Sequence, residues 1–198
     1  MKNKVLMGLA AILMVAVLAS CGKVPQAEID ATNAAIAAAQ AAEANVYLPG
    51  EFTALQDSMN AVTAAIEVQK GKLFKKFGPV KEQLSAVLAQ ANQVAANVAA
   101  KKDEVKKEAE TILNDIKSVV TENGKLVVKL PRGKEGAAVI EAIKADLATV
   151  DNSVAEAQGL FDKGSFMDAL NKIKAAKEKA DSINKEIKDV LTKARIRF

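Results

Sequence analysis

The chain has no histidine and no tryptophan, and its 198 residues include one cysteine, one tyrosine, four prolines and ten glycines. Each shortage removes a class of chemistry. Without an imidazole there is no Ser-His-Asp or Cys-His nucleophile pair, no histidine metal ligand and no proton shuttle near neutral pH. A lone cysteine forms neither an internal disulfide nor a zinc cluster. Aromatic residues make up 4% of the chain, too few for a platform of stacked bases or sugars. No Gly-rich phosphate loop, nucleophile elbow or EF-hand spacing occurs. Acid pairs such as Asp103/Glu104 and Glu108/Glu110 sit among lysines, where a solvated helix face explains them better than a metal or an acid–base site. These shortages point away from an enzyme and predict no catalytic, cofactor-binding or metal-ligating residues. Alanine, by contrast, supplies 38 positions. High alanine with little glycine or proline favours helix over sheet.

The N terminus is a separate segment. Lys2 and Lys4 make it basic, and Val5 to Leu18 is an uncharged run of 14 residues. A membrane-spanning helix needs about 20 residues, so this run is short for a span but suits a signal-peptide core. It leads into Leu18-Ala19-Ser20-Cys21. That tetrapeptide resembles the lipobox of bacterial lipoproteins, in which a leucine and two small residues precede the lipidated cysteine. The resemblance implies that residues 1–20 are a signal peptide cut between Ser20 and Cys21. It also implies that the Cys21 thiol carries a diacylglyceryl group and that the new amino terminus is acylated. A thiolate is a good nucleophile for such a thioether, and several acyl chains on one residue are enough for stable anchoring. Residues 21–24 would be the tether. Gly22 stands where an aspartate would favour inner-membrane retention in Gram-negative lipoproteins. The implied location is therefore the periplasmic face of the outer membrane in a Gram-negative cell, or the outer face of the plasma membrane in a monoderm. Without Lys2 and Lys4, 26 basic residues face 24 acidic ones and the formal charge drops from +4 to +2.

Residues 25–198 are expected to form one all-α domain, an elongated antiparallel bundle of about five helices with one long central helix. The first helix spans about 25–45, with Pro25 in its first turn and Ile29 and Ile36 one heptad apart. Val46 to Gly50 breaks it. Phe52, Leu55, Met59, Val62, Ile66 and Leu73 then form an apolar stripe at helical spacing, ended by Phe77-Gly78-Pro79. The longest helix covers 80–122, roughly 65 Å at the usual rise, and Asn123-Gly124 is expected to stop it. Residues 125–136 suggest a connecting loop with a short extended piece. Ile140, Ile143, Leu147, Val150, Val154, Ala157 and Phe161 mark the fourth helix, capped by Gly164. Ser165 and Asp168 suggest a near capping box for the fifth helix, and Arg195 to Phe198 should fray. Phe74, Phe77, Phe161 and Phe166 are expected to plug the ends of the bundle. Tyr47–Phe52 echoes Phe161–Phe166 at an offset of 114 residues. Two copies of one hairpin, 25–77 and 136–194, or coincidence among Ala-rich helices would each account for it.

Residues 27–66 combine an Ala-rich helix, Tyr47-x-Pro49 and an acidic-aromatic helix start at Glu51-Phe52. In these features the segment resembles the uncharacterised helical domain of Gram-negative envelope lipoproteins, which is sometimes found beside a peptidoglycan-binding domain. No such second domain is expected within residues 67–198.

Charge is uneven. Between Pro25 and Gln69 lie six acids and no base. Lys70, Lys72, Lys75 and Lys76 then come without an acid, and Lys125, Lys129, Arg132 and Lys134 form a second basic run. These eight are the candidate interaction residues, suited to anionic phospholipid or an acidic wall polymer. The simpler alternative is internal complementarity, with the acidic first two helices against the basic fifth. A small net charge argues against nucleic acid.

Ala-lined seams bury little area per layer, so a long helix with an exposed stripe would call for a partner. The expected function is a membrane-anchored envelope lipoprotein acting as a structural or protein-interaction module. Its partners would be the membrane, through the lipid, and an envelope protein, the cell wall or a second copy of the chain. The alternative is a helical carrier of a lipid or other apolar ligand.

Overall fold

A computed structural model describes residues 22–132 and 134–198, with side chains at all of these except 134 and 135. The lipobox residues Ser20 and Cys21 lie outside them. The fold is all-α. The described residues form six helices, α1 (Gln26–Ala41), α2 (Ala44–Tyr47), α3 (Pro49–Lys70), α4 (Gly78–Val127), α5 (Lys134–Asp162) and α6 (Phe166–Lys193). The contacts gather into two compact units, one ending at Ala99 and one from Ala100 to Phe198. The division falls inside the long central helix α4, so each unit is built around one stretch of it.

In the first unit, the expected stripe of α3 is buried at Phe52, Leu55, Met59, Val62 and Ile66. Val80, Leu84, Val87, Ala91, Val94 and Val98 of α4 are buried as well. The repeat of three and four residues puts each set on one helical face. Glu28 pairs with Lys81 at 2.7 Å, and the Thr32 hydroxyl lies 3.4 Å from the Leu84 carbonyl. Both contacts advance in the same sense, so α1 runs parallel to this stretch of α4. Helix α3 also packs against α1.

In the second unit, ion pairs Glu108–Lys174 at 2.6 Å and Glu122–Lys188 at 2.8 Å align α6 parallel to α4. Glu156–Lys172 and Asp146–Lys179 align α5 antiparallel to α6. Leu113, Ile116, Ile143, Val150, Ala157, Ile173, Ala180, Ile183 and Ile187 fill the middle. Basic α6 thus finds complementary acids on α4 and α5, within its own unit.

Helix ends depart most from the sequence expectation. Helix α1 stops at Ala41, and Glu43 takes a left-handed φ of 71° before the four-residue α2. Helix α3 starts earlier than expected, with Pro49 in its first turn, where a missing N–H costs nothing. It ends at Lys70, so Leu73 lies beyond its stripe. Gly78 and Pro79 begin α4 instead of stopping a helix, because Lys81 N–H bonds to the Phe77 carbonyl and leaves Pro79 in the first turn. At its far end, α4 passes through Asn123-Gly124 and reaches Val127. Leu126, Val127 and Leu130 are buried, so the apolar content of the expected loop extends the helix and anchors the turn after it.

Ser165 makes no side-chain cap, so the expected capping box is absent. The corner is closed instead by a Schellman motif. Gly164 has a φ of 82°, its N–H bonds to the Phe161 carbonyl, and Ser165 N–H reaches the Leu160 carbonyl. The C terminus does the same. Arg195, with a φ of 57°, bonds to the Thr192 carbonyl and Ile196 to that of Leu191. Ile196 packs against the core, which holds the segment expected to fray. The echoed glycines therefore have different roles, since Gly50 lies in the first turn of α3 while Gly164 ends α5.

Candidate interaction surfaces

The basic candidates fall on two connections. Lys70 ends α3 and pairs with Glu67 at 2.7 Å, both side chains largely in solvent. Lys72, Lys75 and Lys76 lie on the link to α4, all exposed, with no carboxylate paired to them among the described residues. Lys125 is exposed in the last turn of α4, and Lys129 and Arg132 are exposed on the turn after it. Lys134 begins α5, and its side chain is outside the described set. The fold therefore groups Lys70–Lys76 in the first unit and Lys125–Arg132 in the second.

The link 71–77 is pinned at both ends. Ile66 and Phe77 are buried. Gly71 N–H bonds to the Glu67 carbonyl, and Lys72 N–H to that of Gln69. The Gln69 side chain accepts Lys76 N–H at 3.4 Å. Between these anchors, Leu73 is 92% exposed and Phe74 80% exposed. Of the four phenylalanines expected to plug bundle ends, Phe77 is buried in the core. Phe161 and Phe166 meet edge to face at 5.1 Å, with the Lys106 ammonium 5.6 Å from the Phe166 ring. Phe74 plugs nothing. Sequence reasoning missed Leu73 and Phe74 as surface residues. The available signal was their place among lysines between Gly71 and Gly78-Pro79.

In the second unit, Val127, Val128, Ala137 and Ile140 line a half-open cleft of about 480 Å³ with Arg132, Glu141 and Lys144. Lys144 is paired with Glu141 at 2.9 Å, which leaves Arg132 as the cation at the cleft without a described partner.

Several of the acids are engaged by lysines. Asp103 pairs with Lys107 at 2.7 Å and Glu104 with Lys101 at 2.9 Å. The hydrogen bond from Lys107 lowers the Asp103 pKa, and Asp103 in turn raises that of Lys107. Glu28 is lowered chiefly by the hydrogen bond from Lys81, against partial burial. Glu122 is lowered chiefly by the hydrogen bond from Lys188. Among the described residues no group of three or more acidic or cysteine side chains could hold a metal ion, and no helix is long and apolar enough to cross a membrane. No protein-family model, curated protein or solved structure matches the chain.

Proposed function

We propose that the protein is a bacterial envelope lipoprotein, anchored through lipidated Cys21, that acts as a structural or protein-interaction module. The observation that supports this most directly is Leu18-Ala19-Ser20-Cys21 at the end of an uncharged run behind two lysines. In this reading the mature part belongs with the Ala-rich helical domains of Gram-negative envelope lipoproteins and sits on the periplasmic face of the outer membrane. It presents helix α4 and the two basic connections to an envelope protein, the wall or a second copy. Metabolic labelling with a clickable fatty acid tests the anchor. The chain should incorporate label, and Cys21→Ser should lose it and accumulate as uncut precursor. Label that persists in Cys21→Ser would overturn the assignment. Crosslinking in intact cells from exposed positions of α4, followed by mass spectrometry, tests the module.

A second reading, a carrier of a lipid or other apolar ligand, draws support from the cleft beside Arg132. Its apolar wall and single available cation suit an anionic amphiphile. Native mass spectrometry of protein purified from its own cells should then show a bound lipid, and Ile140→Trp should expel it by filling the cleft.

A further inference from the structure

The link between α3 and α4 exposes two of its three large apolar side chains, Leu73 and Phe74, and surrounds them with cations. We infer that residues 70–76 form a membrane-contact loop, with Leu73 and Phe74 dipping into an anionic phospholipid surface and Lys70, Lys72, Lys75 and Lys76 bound to its headgroups. The exposure of Leu73 and Phe74 does not come from a frayed helix end. Ile66 and Phe77 are buried on either side, and three backbone N–H groups of the link are hydrogen-bonded. The loop is a held structure that presents these side chains to solvent.

Leaving a leucine or phenylalanine side chain in water forgoes the free energy of burying it. A bilayer interface recovers part of it, because a phenyl ring and a leucine fit the headgroup–acyl boundary. The charge pattern selects the lipid. Four lysines fall within seven residues, and the carboxylate at the near end, Glu67, is already paired with Lys70. Each lysine at an anionic leaflet contributes about 1 kcal/mol. An acidic wall polymer would satisfy the lysines and leave Leu73 and Phe74 in water. A protein groove could take Leu73 and Phe74 without requiring anionic lipid. An anionic bilayer satisfies both features at once.

This inference extends the lipid-anchored reading, in which Cys21 brings the loop near a bilayer. The chain contains no tryptophan, so Phe74→Trp introduces a single fluorophore at the position in question. The full chain, purified as the cell produces it and carrying Phe74→Trp, is mixed with vesicles of phosphatidylcholine alone or with phosphatidylglycerol. With phosphatidylglycerol present, the indole emission should shift to the blue and be quenched by brominated acyl chains. With phosphatidylcholine alone both effects should be small. Each of Lys72→Gln, Lys75→Gln and Lys76→Gln should lower the ratio of inserted to free loop about fivefold, which is 1 kcal/mol per lysine. Because these side chains are exposed, an unchanged far-UV circular dichroism spectrum is expected and verifies the fold.

Emission that stays at the wavelength of a water-exposed indole in both vesicles would overturn the inference. So would equal quenching in the two lipids, or a shift on adding an anionic wall polymer with no quenching by brominated lipid. Failure of the anchor reading is told apart by acyl labelling at Cys21, since the fluorescence is read at residue 74 itself.

Discussion

The side-chain amide of Asn123 donates a 2.8 Å hydrogen bond to the main-chain carbonyl of Ala180 across the second unit. Asn123 is fully buried, and its Oδ1 accepts from the Asn184 amide at 2.7 Å. The pair of bonds sets the register of α6 on α4, as a buried asparagine does in coiled coils. It also holds a residue that normally favours a helix end inside a helix. Asn123→Ala should destabilise the chain by about 1–3 kcal/mol, because it leaves Asn184 without this partner and opens a void. Denaturant unfolding of the variant against the parent checks this. A loss below a few tenths of a kcal/mol would show that the bond does not hold the register.

Gly124 follows it in the helix, and a methyl group added there would meet nothing within 4 Å. Its φ is not in the left-handed region. Gly124→Ala should therefore stabilise the protein by about 0.5–1 kcal/mol through helix propensity and a less flexible unfolded chain. The thermal midpoint should rise. A fall would mean that α4 ends before residue 124.

Arg195 closes α6 from a left-handed φ, a conformation that costs a side-chain-bearing residue about 1 kcal/mol. Glycine has no such cost. Arg195→Gly should stabilise the second unit by up to about 1 kcal/mol, and amide exchange at Ile196, whose N–H bonds to the Leu191 carbonyl, should slow. Faster exchange there would contradict the motif.

Glu28 and Lys81 form a partly buried ion pair, at 31% and 17% side-chain exposure. The hydrogen bond from Lys81 puts the folded-state pKa of Glu28 below its ordinary value. A depressed carboxylate pKa stabilises the fold above the unfolded value, near 4.3, and that contribution is lost as pH falls through the lower folded value. Screening at this partly exposed pair keeps it to about 1 kcal/mol or less. Glu28→Gln should thus be less stable than the parent at neutral pH, and the two should converge in acid. A difference that is constant from neutral pH down to about pH 3 would assign the effect to packing instead of charge.

The residues show where sequence reading succeeds. Phe52, Leu55, Met59, Val62 and Ile66 were legible as a buried face because helical periodicity is a local property. The same holds for Ile143, Val150 and Ala157. Leu73 keeps the phase of its stripe, yet the chain has already left the helix at Lys70. Periodicity cannot report that, because it assumes the backbone continues. The two basic runs were legible as charge. That one of them encloses exposed apolar side chains was not, since only the burial of Phe77 and Ile66 shows which neighbours remain outside.

The sequence by itself determined the all-α class, the helical faces and the distribution of charge, along with the lipobox resemblance on which the anchor proposal rests. All of these depend on residues adjacent in the chain or one turn apart. Tertiary structure alone decided where α4 ends, which acids pair with the basic α6, how the C terminus closes and which phenylalanine stays in solvent. The first two of these depend on groups some 60 positions apart in the chain, such as Asn123 and Ala180 or Glu122 and Lys188. A buried hydrogen bond between such partners outweighs the local propensities that would have stopped the helix.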